Sequence, residues 1–174
     1  MSEYGIVTEA GAVRFERLLP GPIEHVWAYL TQSDKRGTWL AAGPMDARVG
    51  GRVDLHFHHA ELSAEKTPPE RYKELENGHL VRGSITRCEP PRLLSFTWGE
   101  WGEVTFELTP QDDDVLLVLT HRRLADRAAT AEIAGGWHAH LGILTDRLAG
   151  RDPRPFWSTH ATAAAEYQKR IATE

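Results

Sequence analysis

Nine histidines and six tryptophans in a chain of 174 residues are the side chains with the most chemistry to offer. Imidazole changes charge near neutral pH and is the commonest neutral metal ligand. His56 and His58 stand at i, i+2 with His59 beside them, a spacing that puts two imidazoles on one face of a strand. No cysteine or carboxylate motif completes a ligand set around them. They read as a solvated face, and neither a metal nor a cofactor is expected. His121 closes a strand pattern and His140 lies in a helical one; either could orient a ligand or move a proton. No acidic partner stands at a characteristic spacing from them, which favours hydrogen-bonded structural histidines. Nucleophiles find less support. Cys88, the sole cysteine, has no nucleophile signature around it, and Ser84 lacks the second glycine of a nucleophile elbow. Glu100 and Glu103 crowd a hairpin, where solvated charge is the ordinary reading. Trp101, at that tip, is a candidate for a cavity mouth, a dimer contact or a stray exposed ring.

The elements that must position these residues are legible from hydrophobic period. Residues 12–19 alternate as a strand, with Val13, Phe15 and Arg17 on one face, ended by Pro20, Gly21 and Pro22. Ile23, Val26, Trp27 and Leu30 follow at helical spacing, and Ser33 is placed to cap a short turn leading to Trp39. From Gly43 the period changes to strands broken by turn signals: residues 45–49, 52–59, 79–88, 92–98, 104–108 and 115–122. In 52–59, Val53, Leu55 and Phe57 form the buried face against Arg52, Asp54, His56 and His58. The connection 60–78 is too long for a tight turn, and its run 70–77 reads as a short surface helix.

Residues 126–148 carry the strongest periodicity. Ile133, Trp137, Leu141, Leu144 and Leu148 fall in one narrow stripe at about 100° per residue, and Gly150 ends the helix. Gly135 and Gly136 inside it cost about 1 kcal/mol each relative to alanine, so close approach to the sheet or room for a ligand should compensate. Beyond Pro153 and Pro155, the residues Phe156, His160, Ala164, Tyr167 and Ile171 give a last helix that packs on the domain or on a second copy.

Bulk properties narrow the class. The length suits a single domain over 1–174, with a core over 12–150 and an appended segment over 151–174. One cysteine suits a reducing, cytoplasmic setting. No run approaches the ~18 apolar residues of a membrane span. A net charge of −5, with basic residues scattered among acids, makes nucleic acid a poor partner.

The order of elements resembles the helix-grip fold of START-related (SRPBCC) proteins, an α+β arrangement of six to seven antiparallel strands around a long C-terminal helix. The phrases at residues 20–40, 49–57, 83–98, 104–110 and 135–150 together resemble the branch named after the activator of the heat-shock-protein-ninety ATPase. That resemblance implies a cavity between sheet and C-terminal helix that takes a small apolar molecule. The cavity candidates are Phe57, Ile85, Phe96, Trp98, Phe106, Leu117, Leu119, His121, Trp137, His140 and Leu141, with Trp101 at the mouth. The leading expectation is a protein that binds or senses a small hydrophobic ligand. A cyclase- or aromatase-type enzyme using His121 or His140, and a co-chaperone-like interaction module, are the alternatives. A chaperone contact lacks the support of a co-chaperone N-terminal domain, for which the segment before Ala12 is too short. A homodimer through the tail is a further option.

Overall fold

The computed structural model describes residues 3–172. One antiparallel sheet runs in the order β1-β2-β7-β6-β5-β4-β3. Its strands are β1 (Ile6–Glu9), β2 (Ala12–Pro20), β3 (Arg52–Phe57), β4 (His79–Glu89), β5 (Leu93–Thr97), β6 (Glu103–Gln111) and β7 (Asp114–Arg122). Helices α1 (Ile23–Thr31) and α2 (Ser33–Arg36) link β2 to the segment before β3, and α3 (Arg127–Leu148) and α4 (Phe156–Ala172) close the chain. This is the α+β helix-grip arrangement.

Register explains why the sheet has one buried face. Phe15, Leu119, Phe106 and Leu94 pair side by side across four strands, and Val13, His121, Val104, Phe96 and Ile85 make the next row across five. All of these are buried, and period two turns their sequence neighbours to the other face. His121 is thus set in a row of apolar side chains before any polar contact is considered.

Helix α3 lies on that face. Asp126 caps it, its Oδ1 accepting from the Ala129 N–H at 2.8 Å, and Gly150 follows its end with φ of +71°, a conformation that favours glycine. The single apolar stripe understates its burial: Ala134, Gly135, His138, Gly142 and Asp146 are buried as well. The reason is α4, which covers the side of α3 that the sheet leaves open. A Cβ on Gly135 would sit 3.2 Å from Ala164, and one on Gly142 would meet the Arg154 side chain at 2.8 Å. Gly135 therefore serves close approach to α4, not to the sheet. Asp146 locks the pair, accepting from Arg154 through Nε at 2.8 Å, Nη2 at 2.9 Å and the backbone N–H at 2.9 Å, with Arg151 at 3.3 Å.

Several expectations need correction. Strand β1, short and at the sheet edge, went unread. Residues 45–49 form no strand, only a bridge from Met45 to Val53, because the glycines at 50 and 51 turn the chain at once. Ser33 starts α2 and does not cap it; its Oγ accepts from the Gly43 N–H at 2.8 Å. Strand β3 ends at Phe57, and a 3-10 turn over His59–Glu61 follows, which carries His59 inward to a buried site. Asp54, expected on the wet face, is buried beneath Arg52, which donates to both its oxygens at 2.8 and 2.9 Å. The run 70–77 is 3-10 over Glu70–Leu75, kinked at Tyr72. Among the described residues no helix is long and apolar enough to cross a membrane.

Candidate functional site

A cleft of about 710 Å³ opens where the β5–β6 hairpin, the start of β4, α3 and α4 converge. Its walls come from separate stretches of chain. The hairpin gives Trp98 and Trp101; α3 gives Glu132, Ile133, Gly136, Trp137 and His140; α4 and its lead-in give Phe156, Trp157 and His160. The connection after β3 adds His59, Tyr72 and Leu75, and β4 adds residues 79–82. Gly102, at φ of +85°, lets the hairpin pass so close to β7 that a Cβ there would strike the Arg122 carbonyl, and this sets where Trp98 and Trp101 stand. The Trp98 and Trp137 rings meet at 5.0 Å between centroids, while Trp101 stays 53% exposed at the rim beside Leu80. A Cβ on Gly136 would have no atom within 4 Å, so this glycine, unlike Gly135, faces open space.

Of the residues singled out from sequence, Trp98, Trp101, Trp137 and His140 border the cleft. Phe57, Ile85, Phe96, Phe106, Leu117, Leu119 and Leu141 are buried in the core and do not border it. They form the support against which the bordering rings are held: Phe106 meets Trp137 edge-on at 5.8 Å and Phe57 meets Trp98 at 5.8 Å.

His121 is also behind the cleft, and its partners define its state. The Trp137 indole N–H donates to Nδ1 at 2.9 Å, so Nδ1 carries the lone pair. Nε2 therefore carries the proton and donates to the Trp101 carbonyl at 2.5 Å. Burial pushes this histidine down to about 4, against the pull of the Trp101 bond. Both nitrogens are engaged, so His121 is a strut between hairpin tip and α3 rather than a proton shuttle. His140 donates from Nδ1 to the Trp39 carbonyl at 2.9 Å, which leaves Nε2 as its lone-pair nitrogen. Burial, then the neighbouring His59, pushes it to about 3.

Sequence reasoning missed the walls supplied by α4 and by the long connection. Tyr72 stacks on Trp157 at 5.4 Å and 21° and meets His160 edge-on at 4.9 Å. Its hydroxyl donates to Glu132 of α3 at 2.7 Å, and Arg71 reaches the same carboxylate at 3.1 Å. The available signal was Trp157 and His160 together on a helical pattern directly after two prolines. Of the other histidines, His56 and His58 border a smaller hollow of about 270 Å³ near α2, away from the main cleft. Among the described residues no group of three or more His, Cys, Asp or Glu side chains could hold a metal ion.

Known proteins place this architecture. The family described as Activator of Hsp90 ATPase homolog 1-like protein matches residues 20–149. A Bordetella parapertussis protein, solved in solution by NMR, is 50% identical over 96% of this chain and 90% of its own, with a TM-score of 0.83. The crystal structure of CalU16 from Micromonospora echinospora shares the fold at 23% identity and a TM-score of 0.67, covering 94% of this chain and 89% of that one. The solution structure of the Aha1 dimer from Colwellia psychrerythraea does so at 17% and 0.58, covering 79% and 95%. No curated protein matches the chain significantly. The matched span runs from the end of β2 through α3, taking in α1, α2 and strands β3 to β7, and on it the chain belongs to the Activator of Hsp90 ATPase homolog 1-like family.

Proposed function

We propose that this protein binds a small, largely apolar molecule in the cleft between the β5–β6 hairpin, α3 and α4. The observation that carries the reading is the cleft itself: about 710 Å³, within the range of small-molecule sites, walled by indole, phenyl and imidazole rings with a glycine where α3 faces it. A helix interior that keeps Gly136 at a cost of about 1 kcal/mol, with nothing packed against that position, favours space retained for a guest. A cytoplasmic setting goes with this reading, given a single cysteine.

Proton chemistry of the cyclase or aromatase kind is less well supported. With His121 engaged at both nitrogens it falls to His140, whose ring, pushed to about 3, is a weak base near neutral pH.

The test is titration with the neutral apolar dye N-phenyl-1-naphthylamine, followed by dye emission and quenching of tryptophan fluorescence. The expected result is saturable binding at one site, weakened about tenfold or more by Gly136→Leu, whose side chain fills the open space. Absence of saturable binding to the unmodified protein overturns the proposal.

A further inference from the structure

Two nitrogens at the α4 end of the cleft are buried and have no hydrogen-bond partner among the described residues: Nδ1 of His59 and Nε1 of Trp157. Their residues are only 8% and 4% exposed, and both border the cleft. Their rings are neighbours, with centroids 5.0 Å apart. A buried donor left unmatched costs about 1–3 kcal/mol, and native interiors leave few such groups. Two such groups, on neighbouring rings in the wall of one cleft, mark a place where a polar partner from outside the chain belongs, an ordered water in the empty cleft or an oxygen of a guest that displaces it.

We propose that this end of the cleft is a polar subsite that takes one uncharged oxygen, a hydroxyl or a carbonyl, carried on an otherwise apolar ring compound. The inference rests on the cleft-binding reading above and adds the chemistry of the guest. Trp157 Nε1 only donates, so the guest must present an acceptor there. His59 is held neutral by burial and by the nearby His160, which push it to about 4. Its Nδ1 therefore either accepts from a hydroxyl or, in the other tautomer, donates to the same oxygen. An oxygen serves both cases; a bare hydrocarbon serves neither. Both nitrogens are shielded from solvent, so the proposed guest reaches them only by displacing a neighbouring ring, and Tyr72, stacked on Trp157, borders the cleft there. His160, lodged among Tyr72, Phe156 and Trp157, is itself pushed down by burial, so the surroundings disfavour a charged group and suit a neutral one.

The test uses matched probes on the full chain. Affinities of 2-naphthol and 2-acetylnaphthalene are compared with those of 2-methylnaphthalene and 2-isopropylnaphthalene by tryptophan quenching, and the Trp157 indole N–H is followed by ¹⁵N NMR. The expected result is binding at least about tenfold tighter for one or both oxygenated probes than for the hydrocarbon of the same shape, against their order of hydrophobicity. The Trp157 resonance, identified by its loss in Trp157→Phe, shifts only with the oxygenated probe. In Trp157→Phe, which keeps an aromatic ring and removes the donor, the preference shrinks severalfold. A preference for 2-naphthol alone marks Nδ1 of His59 as an acceptor that needs the hydroxyl proton, and a preference for both shows that an acceptor for the Trp157 N–H suffices. Equal affinities for oxygenated and hydrocarbon probes overturn the subsite and leave cleft binding standing, whereas no binding by any probe takes both down.

Discussion

The two halves of α3 solve different problems. From Leu141 to Asp146 the helix is almost wholly buried: Gly142 admits the Arg154 side chain, and Asp146 holds the lead-in to α4 with charge-assisted bonds to Arg154 and Arg151. From Glu132 to His140 the same helix turns a face to the cleft, where Gly136 meets nothing within 4 Å and two nitrogens on the opposite wall go unmatched. One half gathers complementary partners, and the other leaves capacity unused. The comparison teaches that one helix can carry a charged clamp to its neighbour at one end and an open wall at the other.

Asp146→Ala should give the largest effect that breaks this contrast. It strands the partly buried Arg154 and loosens α4, at a cost of about 3 kcal/mol, read as a fall in the urea midpoint. His121→Phe should follow at about 2 kcal/mol, since it removes an acceptor from the Trp137 N–H and a donor from the Trp101 carbonyl; a red shift of tryptophan emission would accompany it. Paired glycine variants then sharpen the comparison. Gly136→Ala should raise stability by about 1 kcal/mol while weakening dye binding, because it gains helix propensity in open space. Gly135→Ala should lower stability by about 1 kcal/mol, overpacking against Ala164 outweighing the same gain. Equal signs for the two glycines, in thermal melts, would sink the distinction between the faces.

The pH profile tests the burial of the histidines together with the Asp146 clamp. Burial lowers His59, His121, His138, His140 and His160, so below pH 6.5 the unfolded chain binds protons that the folded chain refuses. Stability then falls as pH drops from about 6.5 toward 4, by up to about 1.4 kcal/mol per pH unit for each histidine. Asp146, held at about 2 mainly by Arg154, contributes stability present above the ordinary carboxylate range and lost below it. Stability profiles from pH 7 to 3 check this. A flat profile between 6.5 and 4.5 would show the histidines charged in the fold.

Much of the grip was legible because its residues obey simple periods. Val13 and Phe15, Val53, Leu55 and Phe57, and the stripe from Ile133 to Leu148 declare their elements without tertiary information. Strand β1 did not, since four mostly exposed edge residues leave no burial pattern to read. At the cleft, Trp98, Trp101, Trp137 and His140 were within reach of the same periods. His59 was not, because alternation placed it beside a wet face and only the 3-10 turn after Phe57 brings it inward. The α4 wall was hidden for another reason. Helical spacing announces that a helix has an apolar face, but the surface it covers follows from steric fit, here a missing Cβ at Gly135 meeting Ala164, which no pattern within either segment contains.

Because α4 comes after every other part of the cleft along the chain, a ribosome delivers its wall last. Until then Phe156, Trp157 and His160 are missing from the wall, and the α3 surface at Gly135 and Gly142 has no partner. The emerging intermediate is the stage at which this uncovered helix face most needs shielding from other chains.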